Sequence, residues 1–358
     1  MLRFAAVVAL FGFIAVLSVV SFATNKDSTW NLPPSLAEHN LSEHQAERLE
    51  KIPASAAISA HRDGYLQVLD ADGGNVVQIS FGRPQGTWEH AAVSPGRRRI
   101  AANEQLPNPA DRPGGVSRLW LFDIVKQTRT RLVPYFETAG NGGVDWDKNG
   151  FIYFAAKEKD AVAHPETPAD FRANAAENDI YRIKYDGTSL ERLTQSHDHG
   201  EADVSVSEDG TMIAYASMNI TEVVMEIWVA QSDGKNARLV FKGGKPGVSS
   251  VHDPELSPDN KYIVFSRVNR DVPPNFPDNP AANTAHDIYR TTLEGDGLMR
   301  LTKPGHISIA PDWVGGKVLF LDISEQERYA GLSIVAPDAP DQASSIINRD
   351  MNIAKWIP

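Results

Sequence analysis

One phrase recurs along the chain at intervals of roughly 50 residues, and a repeat of that length confines the fold to an array of small stacked units. The copies are EHAAVSPGRRRIAANE from Glu89, GGVDWDKNGFIYFAAK from Gly142, ADVSVSEDGTMIAYAS from Ala202, HDPELSPDNKYIVFSR from His252 to Arg267, and IAPDWVGGKVLFLD from Ile309. A fragment of it, NIAKWIP, occupies Asn352 to Pro358. Each copy has a half-polar stretch, a turn built from Ser, Pro, Asp, Asn or Gly, and then alternating apolar residues such as Ile213 and Tyr215. A tight turn leading into a period of two predicts a β-hairpin.

A second phrase follows every copy. DIYRIKYDGTSLERLT from Asp179, EIWVAQSDGKNARLV from Glu226 and DIYRTTLEGDGLMRLT from Asp287 are the clearest, and RLWLFDIVKQTRTRLV from Arg118 is more divergent. Its Asp-Gly or Gly-rich step marks another hairpin, so each period holds four antiparallel strands, the size of a β-propeller blade. Five complete units precede Asn348, and an incomplete one (ASAAISA, GYLQVLD, NVVQISFG) comes before them. That first unit lacks the innermost-strand phrase, while the last residues supply only that phrase, with Trp356 in the column of Trp146 and Trp313. The expected fold class is therefore all-β: a six-bladed β-propeller over residues 55–358, its first blade closed by the C-terminal strand, leaving no open edge.

The run from Asp179 to Ser217, DIYRIKYDGTSLERLTQSHDHGEADVSVSEDGTMIAYAS, resembles the repeats of TolB-like propellers. The resemblance extends over most of residues 55–358 and implies the propeller fold. The matching positions are turns and core residues, so it implies no single activity; such propellers also serve as lyases, protease domains and docking platforms. The separate N-terminal α/β domain of TolB itself has no counterpart in residues 24–54.

Residues 1–23, MLRFAAVVALFGFIAVLSVVSFA, place Arg3 before an uninterrupted apolar run. They read either as a secretory signal cleaved after Ala23 or as an uncleaved membrane anchor, and both readings export the propeller to the periplasm or beyond. Residues 24–54 read as a tether, with Ser42 and Gln45 as a capping box for one short helix. Cysteine is absent, which excludes disulfides, thiolate ligands and lipidation at cysteine. The formal charge of −11 argues against nucleic acid as a partner and leaves membrane contact to residues 1–23, if they are retained.

Function is expected in the loops, because blades are scaffold. Three insertions, after Glu104, Lys157 and Asn269, fall between the second and third strands of their blades, on the face that also carries the connections between blades. Histidines follow the same asymmetry: His90, His164, His197, His199, His252, His286 and His306 map to that side or to the entry of an innermost strand. Carboxylates entering the central channel are Asp145, Asp203, Asp253, Glu255 and Asp312, with Lys355 the lone cation of that column. The candidate binding residues are accordingly His90, Asp145, Asp203, His252, Asp253, Glu255 and Asp312. No cofactor motif is present; a divalent metal, with His197, His199, His252 and His306 as candidate ligands, is the one cofactor chemistry left open.

Other enzyme classes lack their motifs. No G-x-S-x-G elbow, H-E-x-x-H, G-x-x-x-x-G-K-[ST] or G-x-G-x-x-G occurs. The expectation is a non-enzymatic, exported module that binds a protein partner of the cell envelope through its loop-rich face and acidic channel mouth. The alternative is a metal-dependent glycan lyase or hydrolase resembling the oligogalacturonate lyases, in which a cation would stabilise an enolate.

Overall fold

The structure, a computed structural model, describes residues 51–54, 56–62, 65–71, 75–79, 87–106, 117–133, 137–138, 143–158, 161–162, 167–244, 249–269, 285–324, 329–347 and 355–356. The leader, the tether helix expected at Ser42, His164, and most of the insertions after Glu104 and Asn269 lie outside the described residues.

Alternating phrases become strands. The first sheet holds β1 (Ala56–Arg62), β2 (Tyr65–Asp70) and β3 (Val77–Gln78). Next come β4 (Thr87–Val93), β5 (Arg99–Gln105), β6 (Ser117–Asp123) and β7 (Thr128–Arg131). A short β8 (Glu137–Thr138) precedes β9 (Val144–Trp146), β10 (Phe151–Lys157), β11 (Asp179–Lys184) and β12 (Glu191–Arg192). The fourth group is β13 (His199–Val206), β14 (Met212–Asn219), β15 (Val224–Gln231) and β16 (Arg238–Lys242). The fifth is β17 (Val251–Leu256), β18 (Tyr262–Asn269), β19 (Ala285–Thr292) and β20 (Met299–Arg300). The sixth is β21 (Ile307–Val314), β22 (Lys317–Ser324), β23 (Tyr329–Val335) and β24 (Ser344–Ile347), and β25 (Lys355–Trp356) comes last. Within each group consecutive strands pair antiparallel, and β25 pairs with β1 through Ile58 opposite Trp356 and Ser59 opposite Lys355. The molecule is thus all-β, made mostly of antiparallel four-stranded sheets, the architecture of a β-propeller.

Strand β14 shows why the sheets stand face to face. Successive side chains of a strand point to opposite sides, and here neither side is wet. Ala214 and Ala216 enter a core with Ile227 of their own sheet and Leu256, Ile263 and Phe265 of the following one. Ile213 and Tyr215 enter another with Tyr153, Ala155 and Ile180 of the preceding one.

The serines and aspartates of the repeated phrase close its turns. Ser207 Oγ donates to Asp209 Oδ1 at 2.7 Å and accepts from the Met212 amide at 3.0 Å, while Gly210 takes φ +69°. Ser257 repeats the arrangement with Asp259 at 2.7 Å and the Tyr262 amide at 2.9 Å. Such self-contained bonding holds the strands in register without help from neighbours.

The insertion after Lys157 contains a helix, α1 (Pro168–Ala175), where a Pro-rich loop was expected. Its signal is local: Thr167 accepts from the Asp170 amide, Asp170 accepts in return from the Thr167 amide, and Pro168 occupies the first turn. The helix end lies against β13, so that a Cβ on Gly200 would come within 2.2 Å of the Ala175 carbonyl oxygen.

Candidate functional site

Four of the innermost strands share a defect that creates the site. Register slips by one residue between Glu89 and Ala92, Ala202 and Ser205, His252 and Glu255, and Ile309 and Asp312. At each bulge one residue adopts the left-handed conformation: His90 (φ 47°), Asp203 (48°), Asp253 (51°) and Ala310 (51°). His and Asp tolerate this region better than most residues, and a bulge re-aims the side chain it carries.

These turned residues meet around a cavity of about 40 Å³, lined by His90, Gly143, Asp203, Asp253 and Ala310 together with Glu255 and Asp312. Five of the seven candidate binding residues, namely His90, Asp203, Asp253, Glu255 and Asp312, therefore share one site. Asp145 and His252 do not line it.

Asp145 bridges two sheets instead. Its carboxylate accepts from the Val206 amide at 2.8 Å, across to β13, and from the Trp146 amide at 2.7 Å. Asp312 accepts in the same way from the Trp313 amide at 2.8 Å. His252, one residue before the bulge, places Nε2 2.8 Å from Ser250 Oγ, with its ring 6.3 Å from that of His286. Burial, reinforced by the His286 charge, pushes its pKa down to about 3, so it is neutral at physiological pH.

Asp203 and Asp253 are the electrostatic centre of the cavity. Burial pushes both carboxyls up, and the charge of Asp253 pushes Asp203 further. Asp253 receives the Ser266 hydroxyl at 2.9 Å and the Ala310 amide of β21 at 3.2 Å. The bulge column thus ties sheet to sheet while it lines the cavity. Replacing Asp145 by alanine, outside the cavity, strands the Val206 amide and is expected to cost about 1–3 kcal/mol. Urea denaturation measures this, and an unchanged midpoint would show that water takes over the bond.

The four candidate metal ligands are dispersed. His197 is exposed. His199 sits between Asp198 (Nδ1, 3.0 Å) and the buried Glu226 (Nε2, 3.3 Å), edge-on to Trp228. His306 places Nδ1 3.0 Å from Asp322 Oδ1. Among the described residues no three His, Asp or Glu side chains form a group able to hold a metal ion. Sequence reading overlooked Glu226 and Asp322, each paired with one of these histidines; both stand in second strands or third strands, away from the loops searched for function.

Arranged in this way, the molecule has the fold of TolB-like β-propellers. Superposition on TolB from Acinetobacter baumannii gives a TM-score of 0.55 at 17% identity, covering 86% of this chain and 68% of that one. A chain of a nidogen/laminin complex gives 0.56 at 9% identity, covering 85% and 98%. Oligogalacturonate lyase from Vibrio parahaemolyticus gives 0.50 at 12% identity, covering 78% and 74%. At these identities the likeness is one of fold. No protein-family model and no curated protein matches the sequence.

Proposed function

We propose that this chain is an exported, six-bladed TolB-like propeller that binds a protein partner in the periplasm or cell envelope and catalyses no reaction. Residues 1–23 serve as signal or anchor, residues 24–54 as tether, and residues 55–358 as the ring. Among the described residues no helix is long and apolar enough to cross a membrane. Six blades closed by the C-terminal strand are supported by the β25–β1 pairing and by the packing of β4, β9, β13, β17, β21 and β25, each against the next and the last against the first.

The size and lining of the cavity carry the reading. At about 40 Å³ it holds a few waters, whereas small-molecule sites run to about 300–1,000 Å³. An acidic dimple of this size suits contact with a basic segment of a protein better than enclosure of a substrate. The test is a photo-crosslinkable residue introduced in the insertion at Ala161, with and without Glu255→Lys. A discrete envelope adduct that falls about tenfold with the charge reversal is expected. An adduct indifferent to it sinks the reading.

One observation favours the metal-dependent glycan lyase: His252 is held neutral, as a ligand imidazole must be. Stoichiometric manganese, calcium or zinc in the purified protein would favour the lyase over the docking module.

A further inference from the structure

The β4–β5 and β6–β7 turns lie at the end of the second sheet away from the β5–β6 connection, because consecutive strands run antiparallel. On that side the turns of the second and third sheets expose Arg98, Lys126 and Lys148, with the half-buried Arg99 and Lys184 beside them. Among the described residues of these turns only two carboxylates reach the surface: Asp123, which Arg99 approaches at 3.5 Å, and Asp186. The corresponding turns of the fourth and fifth sheets are acidic, with Glu208, Asp209, Glu294 and Asp296 besides the Asp233–Lys235 and Asp259–Lys261 pairs. The formal charge of −11 thus conceals a basic corner.

Backbone bonds hold this corner together. The Ile124 amide donates to the Arg98 carbonyl at 2.9 Å, which sets the turn carrying Lys126 against the turn carrying Arg98. The Arg99 guanidinium lies 4.3 Å over the Tyr185 ring and so joins the second sheet's turn to the third's. Two side chains with apolar surface stand among the cations: Val125, 46% exposed, next to Lys126, and Tyr185, 38% exposed. The end of the tether is fastened to the same turn, the Ile52 amide donating to the Arg97 carbonyl and Arg97 Nη1 to the Pro53 carbonyl at 2.9 Å.

We propose that this corner is a membrane-contact surface that seats on anionic phospholipid headgroups. Cations spread over adjoining turns suit a plane of phosphates, and each Lys or Arg near such a plane strengthens binding about fivefold. Val125 and Tyr185 suit the interfacial layer beneath the phosphates, which an acidic peptide in water does not offer. Because the tether joins the sheets here, a bilayer that holds residues 1–23 meets this corner at high effective concentration. Contact there turns the loop-rich side away from the lipid. The inference uses the reading of residues 1–23 as an export segment and is independent of the docking reading, which concerns the other side.

The experiment mixes the full-length protein with phosphatidylcholine vesicles, with and without phosphatidylglycerol, and follows hydrogen exchange over residues 94–99 and 123–131. Protection confined to the phosphatidylglycerol vesicles, and lost as salt is raised, is expected. Arg98→Ala combined with Lys126→Ala should raise the lipid concentration for half-protection about twenty-five-fold. Val125→Asp should raise it as well, and thermal melting should show all variants folded, since these side chains are exposed. Equal protection on both vesicles would trace the contact to residues 1–23 alone, and protection by a polyglutamate peptide but not by vesicles would assign the corner to an acidic protein. Either result overturns the proposal, as does a double variant that binds like the parent. None of these outcomes alters the adduct expected at Ala161, so the two readings fail separately.

Discussion

Replacing Trp88 by alanine should destabilise the protein by about 3–5 kcal/mol, the range for deleting a buried aromatic side chain. Trp88 is 0% exposed on β4 and packs edge-to-face on Phe122, ring centroids 5.0 Å apart. Its core joins two sheets: Leu66, Val68 and Ile79 come from the first, and Ile100, Ala102 and Phe122 from the second. Ile52 from the tether reaches the same core, its amide bonded to the Arg97 carbonyl at 2.7 Å. Alanine leaves a cavity that neither sheet can collapse into without parting from the other. The indole Nε1 has no hydrogen-bond partner among the described residues, so Trp88→Phe should cost far less, about 1 kcal/mol. Urea denaturation of both variants measures the difference; equal losses would show that the packing argument is wrong.

The second large effect is a dependence on pH. Glu201, buried on β13, has its carboxyl pushed from 4.5 up to about 7 by burial first and by Asp179 next, against the opposing pull of the Ser196 hydroxyl at 2.5 Å and of His199. Asp179 is itself ion-paired with Arg192, and Tyr215 lies on the adjoining strand. Between pH 4.5 and 7 the folded state keeps a proton that the unfolded chain has released. Stability is therefore fully present below pH 4.5 and falls as pH rises toward 7, by about 3 kcal/mol in all. Glu201→Gln carries no titrating proton, and its stability should be flatter across that window. Asp179, Asp203 and Asp253 are also pushed up, so both proteins lose stability; the difference between their curves isolates Glu201. Parallel curves from pH 4.5 to 8 would rule it out.

The four-stranded units were legible because their signals are local. Ser207, Asp209 and Gly210 make a turn with their own atoms, and the alternation of Ile213 and Tyr215 needs only the pleat of one strand. Grouping of His90, Asp203, Asp253, Glu255 and Asp312 was legible too, since they occupy matching positions of one repeat. The roles of Asp145 and His252 were not. Beside His252 a one-residue bulge decides which side chain turns inward, while Asp145 stands in regular register on β9 and takes its bond from another sheet. Helix α1 could have been read from TPAD at Thr167, but the prolines nearby masked it. Glu201 and Asp322 escaped notice because their surroundings come from other strands, which no local pattern reveals.

Strand β14 gives its alanines to one core and its Ile213 and Tyr215 to another. Among the described residues, then, each core is shared by two neighbouring sheets. A lesion in one sheet loosens two seams at once, and a single sheet released from the array would keep only half of each. Local opening should therefore spread in neighbouring pairs, with amides of β10, β14 and β18 exchanging at nearly one common rate while the hairpin turns exchange faster.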